Sequence, residues 1–337
     1  MEQSKREWGQ LLIGQRIRYS RNSYRTRLNN NVLVAGASGS GKTTGIVIPN
    51  LCQAKGSYIV VDPKGSLHTE YSYYLKSKGY EVKKLSFINP RQSCGYNFFR
   101  YIRSEQDVLK VAHMLIYGKS AVNWKMDPFW DEASEMLLSA LIGYLWEFHG
   151  PSEQNLESIM KLLNACEVTE NDPEKQNPLD LLILREAKIR KPHCFCVKQY
   201  QKFRVAAGRT LKSILISLYA RIGRFDYAEL NHVLEEDEVD IASIGQKKTA
   251  VFVEVSDTDR SLDQLANLFF SQSMQELCRY ADECTVEKRL PVEVQFIMDD
   301  FHTKQNLSIH SISENGRKPG KKISASATVL LLSLIHI

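Results

Sequence analysis

The residues with the clearest chemical purpose run from Gly36 to Thr43. Their order, Gly36, Ala37, Ser38, Gly39, Ser40, Gly41, Lys42, Thr43, fits G-x-x-x-x-G-K-[ST] at every position. Such a loop holds phosphate: glycines let the backbone wrap so that its N–H groups face phosphate oxygens, and the following helix adds the positive end of its dipole. In this pattern Lys42 reaches the β- and γ-phosphates and the Thr43 hydroxyl ligates Mg²⁺, with Thr44 opening the helix behind them. A second chemical landmark is Asp299-Asp300 at the end of the apolar run Val292–Met298. There Asp299 would hold the Mg²⁺ water shell and Asp300 would orient or deprotonate an attacking water. A third is Asp62, which closes the apolar run Ser57–Val61 and sits where α/β sheets place their ligands.

The elements that must position these groups follow from hydrophobic period. Val32–Ala35 reads as a buried strand, Thr44 to about Ala54 as a helix, Ser57–Asp62 as a strand, Thr69–Gly79 as a helix and Glu81–Phe87 as a strand. Strands rich in Val and Ile alternating with helices predict a parallel sheet. Lys248–Val255 and Val292–Met298 are further strands, joined by an amphipathic helix over 263–280. Ser57–Asp62 intervenes in sequence between the phosphate loop and Asp299, which suits the branch of phosphate-binding folds in which an additional strand separates the two motifs. From about Tyr101 to Gln199 the pattern is helical throughout, with helices over 106–117, from Asp127-Pro128 through Leu145, over 156–166 and over 178–188. Val197–Tyr219 reads as one long helix interrupted at Gly208; its Ala207–Thr210 run imitates the end of a phosphate loop but lacks the first glycine and a preceding strand.

Composition sets outer bounds. The chain has 337 residues, 43% apolar and 25% charged, which excludes a disordered or membrane-embedded class and allows one large or two ordinary domains. No run of 18 apolar residues and no signal peptide is visible. Seven scattered cysteines fit a reducing compartment; Cys194 and Cys196 stand beside His193 but have no second pair at zinc-finger spacing. The net charge of +5 is matched by the first 30 residues alone, where Lys5, Arg6, Arg16, Arg18, Arg21, Arg25 and Arg27 face only Glu2 and Glu7. That end reads either as a patch for nucleic acid or an anionic membrane, or as a solvated lead-in.

Taken together, NNNVLVAGASGSGKTT, SYIVVDPKGS, YNFFRYI, DPFWDEASEMLLSALIGYL, VKQYQKFRVAAGRTLKSILIS and FIMDDF resemble, in order and spacing from about Asn29 to Phe301, the TraG/TraD-type coupling proteins of type IV secretion and conjugation. The resemblance implies an α/β fold: a RecA-like P-loop NTPase with a parallel-rich central sheet and an inserted all-α domain. It divides the chain into a basic lead-in (1–28), a motor domain (29–100 and 200–331) and the all-α insertion (101–199). It implies ATP and Mg²⁺ as cofactors and a homo-hexamer on the cytoplasmic face of the bacterial membrane. It also implies single-stranded DNA as cargo, relaxase or relaxosome proteins docking on the all-α domain, and a type IV secretion channel as the outlet. It further suggests an arginine finger, for which Arg317 is the nearest candidate. The sequence departs from the family pattern in Ser66 (usually Glu after DPKG) and in Asp300 (usually Glu), and Met1 stands just before the expected motor domain, where family members usually start with two membrane helices: either that part is missing from this reading frame or this is a soluble member. Ile323–Leu331 looks like the start of a further strand, and Leu332–Ile337 (LSLIHI) resembles a translated sequencing adapter. The competing readings are an FtsK/HerA-type DNA pump and a nucleotide-binding docking module that has lost hydrolysis.

Overall fold

The computed structural model describes residues 9–14, 16–27, 30–37, 39–117, 129–166, 176–205, 208–256, 258–284, 286, 288–299 and, as backbone, 327–333. Eight strands are present among them: β1 Gln10–Ile13, β2 Ile17–Ser20, β3 Val32–Ala35, β4 Ser57–Val61, β5 Glu81–Ser86, β6 Thr249–Glu254, β7 Val294–Met298 and β8 Ala327–Ser333. Two compact units divide the chain. The first takes 1–94, 239–260 and 273–337; the second takes 95–238 and 261–272.

The first unit is built on a six-stranded sheet of order β3-β8-β7-β4-β6-β5, and every neighbouring pair is parallel. β4, β6 and β7 are buried at every position, as apolar strands covered on both faces must be. This is the RecA-like α/β architecture expected. The strand between the phosphate-loop strand β3 and the Asp299 strand β7 is β8, whereas β4 flanks β7 on its other side. Sequence order had pointed to Ser57–Asp62 for that place; the parallel crossover carries the chain past it. β8 also runs through Leu332 and Ser333, which pair with Val34 and Ala35, two residues past the boundary expected at 331.

Residues 10–20 form a hairpin and not a loose lead-in. Antiparallel β1 and β2 pair from Gln10↔Ser20 to Ile13↔Ile17, with Gly14 in the turn at φ +75°. The free edge of β1 is met by two side-chain amides of the phosphate-loop helix. Asn50 accepts from Leu12 N (3.0 Å) and donates to Leu12 O (2.8 Å); Gln53 donates to Gln10 O (2.7 Å). Of the basic residues at this end, Arg21 is buried and forms a hydrogen bond to Lys55 O and an ion pair with Glu293, while Arg16, Arg18, Arg25 and Arg27 are exposed.

The second unit is helical. Its main elements are Glu105–Tyr117, Phe129–Phe148, Leu156–Asn164, a continuous 178–190 segment, Phe195–Arg204, Gly208–Ile222 and Ala228–Glu235. It contains the 101–199 segment and also the later helices up to 238: Gly208–Ile222 packs on Phe129–Phe148 and Glu105–Tyr117, and Ala228–Glu235 packs on Leu156–Asn164. Tyr96 shows how residues 261–272 join it: its hydroxyl donates to Gln272 Oε1 at 2.5 Å, and its ring meets Phe269 edge-on. The expected helix start at Asp127-Pro128 lies outside the described residues; the helix is in place from Phe129.

Candidate functional site

β3 is short, and its chain turns at Gly36 into the phosphate loop. Gly39 and Gly41 have φ of +74° and +79°, a region in which a side chain is strained. A Cβ on Gly36 would meet Ser40 Oγ at 2.8 Å, so the loop also needs glycine there for close approach. Ser40 N donates to Ala37 O (3.2 Å) and Gly45 N to Gly41 O (2.7 Å), which closes the loop onto the first helical turn. The helix opens as a π-helical turn, Thr43–Val47, and continues as α-helix through Cys52.

Lys42 is buried, and its ammonium donates to Gly36 O (2.8 Å) and Ala37 O (3.0 Å), holding it at the mouth of the loop. Thr43 Oγ1 donates to Asp299 Oδ2 at 2.7 Å, across 256 residues of sequence. Neighbouring strands lie about 4.8 Å apart, so β3 and β7 are separated by roughly 10 Å with β8 between them. The loop must arch over that gap to bring the hydroxyl to the carboxylate, and it does. A hydroxyl and a carboxylate in contact beside a phosphate loop and a lysine are the oxygen donor set for a hard divalent cation. Thr44 faces away: it is exposed, and its hydroxyl turns back to Gly41 O at 3.3 Å. Ser38, Asp300 and Arg317 lie outside the described residues.

Asp62 has a local role. It is buried at the end of β4, and its Oδ2 accepts from His68 N at 2.8 Å, capping the Ser66–Ser77 helix, whose own N-cap is Gly65. Burial raises its pKa from the ordinary aspartate value, with Glu254 adding to the rise. Glu254 was not singled out from sequence. It ends β6, is buried, accepts from Ser86 Oγ (2.6 Å) and pairs with Lys84 (3.0 Å). A Cβ on Gly65 would meet its Oε1 at 2.8 Å, so the glycine of DPKG (φ +66°) is fixed by conformation and by this carboxylate. The rule that picks out Asp62 and Asp299, an acid at the C-terminal end of a buried strand, applies equally to Glu254.

Comparison with known proteins adds an independent line. The family described as Type IV secretory system Conjugative DNA transfer matches residues 1–309. Among curated proteins none matches the chain in sequence. Among solved structures, the unbound monoclinic form of the bacterial conjugative coupling protein TrwBdeltaN70 superposes with a TM-score of 0.61 at 16% identity, covering 99% of this chain and 66% of that one. Its trigonal form with sulphate gives 0.59 at 14% identity, covering 90% and 63%. Plasmid coupling protein TrwB in complex with ADP and Mg²⁺ gives 0.56 at 15% identity, covering 90% and 64%. The chain thus spans just under two thirds of the length of these structures, which share its fold.

Proposed function

Because the chain belongs to the type IV secretory system conjugative DNA transfer family, as a TraG/TraD-type coupling protein, we propose that it is an ATPase whose turnover drives single-stranded DNA into a conjugation channel. The single observation that carries the chemistry is the 2.7 Å contact between Thr43 and Asp299, formed beside a lysine-bearing phosphate loop. TrwB, which shares the fold, has been solved with ADP and Mg²⁺ and with the non-hydrolysable ATP analogue ADPNP.

In this reading ATP and Mg²⁺ occupy the loop. Backbone N–H groups from Gly36 to Thr43 face the phosphates, and Lys42 leaves its two carbonyl partners for phosphate oxygens. Thr43 and Asp299 then hold the cation, directly or through water. When bound, Mg²⁺ would supply charge neutralisation to the phosphates at this site. Asp300 orients the attacking water, and Arg317 serves a neighbouring subunit's nucleotide as an arginine finger. The helical unit docks the relaxase with its DNA. The assembly is a homo-hexamer at the cytoplasmic face of the membrane; among the described residues no helix is long and apolar enough to cross it.

The test is ATP turnover with and without single-stranded DNA, for this chain and for Lys42→Ala. The reading expects DNA-stimulated hydrolysis that falls about 100-fold or more in the variant. It also expects DNA binding that weakens steeply with salt, because phosphate contacts release counterions. Nucleotide binding with no turnover would favour the docking-module reading, for which Asp300, one methylene shorter than the family's glutamate, is the supporting observation. Asp300→Glu separates the two: a large gain in turnover marks a slowed motor, no gain an adaptor. The family match lends no support to an FtsK/HerA-type pump.

A further inference from the structure

The Phe129–Phe148 helix approaches the start of the Phe195–Arg204 helix so closely that a Cβ on Gly143 would lie 2.8 Å from the Phe195 ring. One residue before the end of the first helix, Glu147 turns its carboxylate onto the second. It accepts from Phe195 N at 3.3 Å and from Cys196 N at 3.0 Å, and Lys191 Nζ lies 3.1 Å from its Oε1. Its side chain is only 3% exposed. Cys194 and Cys196 are buried beside it with their sulfurs 3.4 Å apart. A carboxylate oxygen and both sulfurs lie within 4.8 Å of one another.

Capping a helix needs the carboxylate but not the two thiols, and a C-x-C pair by itself offers only two ligands. Together the three side chains make a donor set. We propose that Glu147, Cys194 and Cys196 form a binding site for a zinc-class divalent cation within the helical unit. Thiolates favour Zn²⁺ over Mg²⁺, so this site is chemically distinct from the one at Thr43. Zn–S bonds of about 2.3 Å put two tetrahedral thiolates about 3.8 Å apart, so the sulfurs need separate by only about 0.4 Å. The two backbone N–H groups and Lys191 hold the carboxylate in orientation, as outer partners of metal ligands do. Charge closes as well: Zn²⁺ with two thiolates and one carboxylate leaves one negative charge, which the Lys191 ammonium neutralises. Binding displaces the two thiol protons to solvent. The second carboxylate oxygen or a water completes four-coordination. The cation ties the end of one helix to the start of the other, and its binding energy adds to the folding of the helical unit.

The experiment uses the full chain, reduced and free of any histidine tag, stripped with a zinc-selective chelator and then titrated with Zn²⁺ against a chromophoric competitor. One zinc per chain is expected, with two protons released at a pH where both thiols are protonated. Co²⁺ substitution is expected to give a near-ultraviolet thiolate-to-metal band and visible bands of tetrahedral intensity. Cys196→Ser and Cys194→Ser are each expected to weaken binding about 100-fold or more and to reduce the thiolate band, and Glu147→Gln at least tenfold, while Cys278→Ser changes nothing. The wild-type titration needs no variant to fold: absence of stoichiometric zinc binding there overturns the proposal. So does a serine variant that keeps wild-type circular dichroism and wild-type affinity.

Discussion

Thr43 and Asp299 share one hydrogen bond, and the chemistry of each is legible only through the other. Thr43→Val removes the hydroxyl at nearly constant shape. Its expected outcome is that Mg²⁺ no longer strengthens nucleotide binding, read by titrating a fluorescent ADP analogue with and without the cation; Asp299→Asn should act in the same direction. Asp62 makes a different prediction. Its pKa is raised in the folded protein, first by burial and then by Glu254. The native state therefore holds this proton more tightly than the unfolded chain does. Its contribution to stability is present at low pH and is lost as pH rises from the ordinary carboxylate value through the raised one. Asp62→Asn keeps an acceptor for His68 N and removes the ionisation. The variant should lose less stability than the parent as pH rises above the ordinary carboxylate value, measured by thermal melts. The phosphate loop was readable because glycine spacing and a lysine are local signals. The capping role of Asp62 was not, since it depends on Gly65 having no side chain with which to cap.

At the scale of elements, the N-terminal hairpin shows what a single sequence conceals. The stretch over 10–20 alternates poorly and carries Arg16 and Arg18, so it reads as a charged approach to β3. What secures it is 38 to 43 residues away: Asn50 and Gln53 present amides along the outer edge of β1 as a neighbouring strand would. Asn50 is buried and also donates to Ile46 O at 2.7 Å. Asn50→Ala leaves several partly buried backbone groups without partners and should destabilise the first unit by about 2–3 kcal/mol, measured by urea denaturation. Gly143 tests the opposite fault, overpacking. Gly143→Ala should cost about 1–3 kcal/mol, because a Phe195 ring at 2.8 Å must move with its helix. The parallel sheet and most helices were legible from apolar period, whereas the place of β8 between β3 and β7 rests on pairing between distant segments, which period does not encode.

Across the whole molecule, the helical unit takes two separate pieces of chain, 95–238 and 261–272. The second piece supplies Phe269 against Tyr96, and Gln272, whose amide donates to Phe98 O at 3.0 Å. A fragment of 95–238 alone should therefore expose Tyr96 and Phe98 and melt without cooperativity, while one that rejoins residues 261–272 through a linker should regain a sharp transition by calorimetry. Helical period unbroken by strands marks 101–199 in the sequence, whereas the compact grouping also takes the later helices to 238 and the 261–272 piece, which helical period alone does not assign. The sheet order has a consequence for synthesis. Among the described residues β3 pairs only with β8, and roughly 290 residues separate them in the chain. At about 5–20 residues per second, the ribosome needs roughly 15 to 60 s to deliver β8 after β3 has been made. Through that interval the nascent phosphate loop hangs from an unpaired strand, so the nucleotide site is completed only after residues 327–333 have been made.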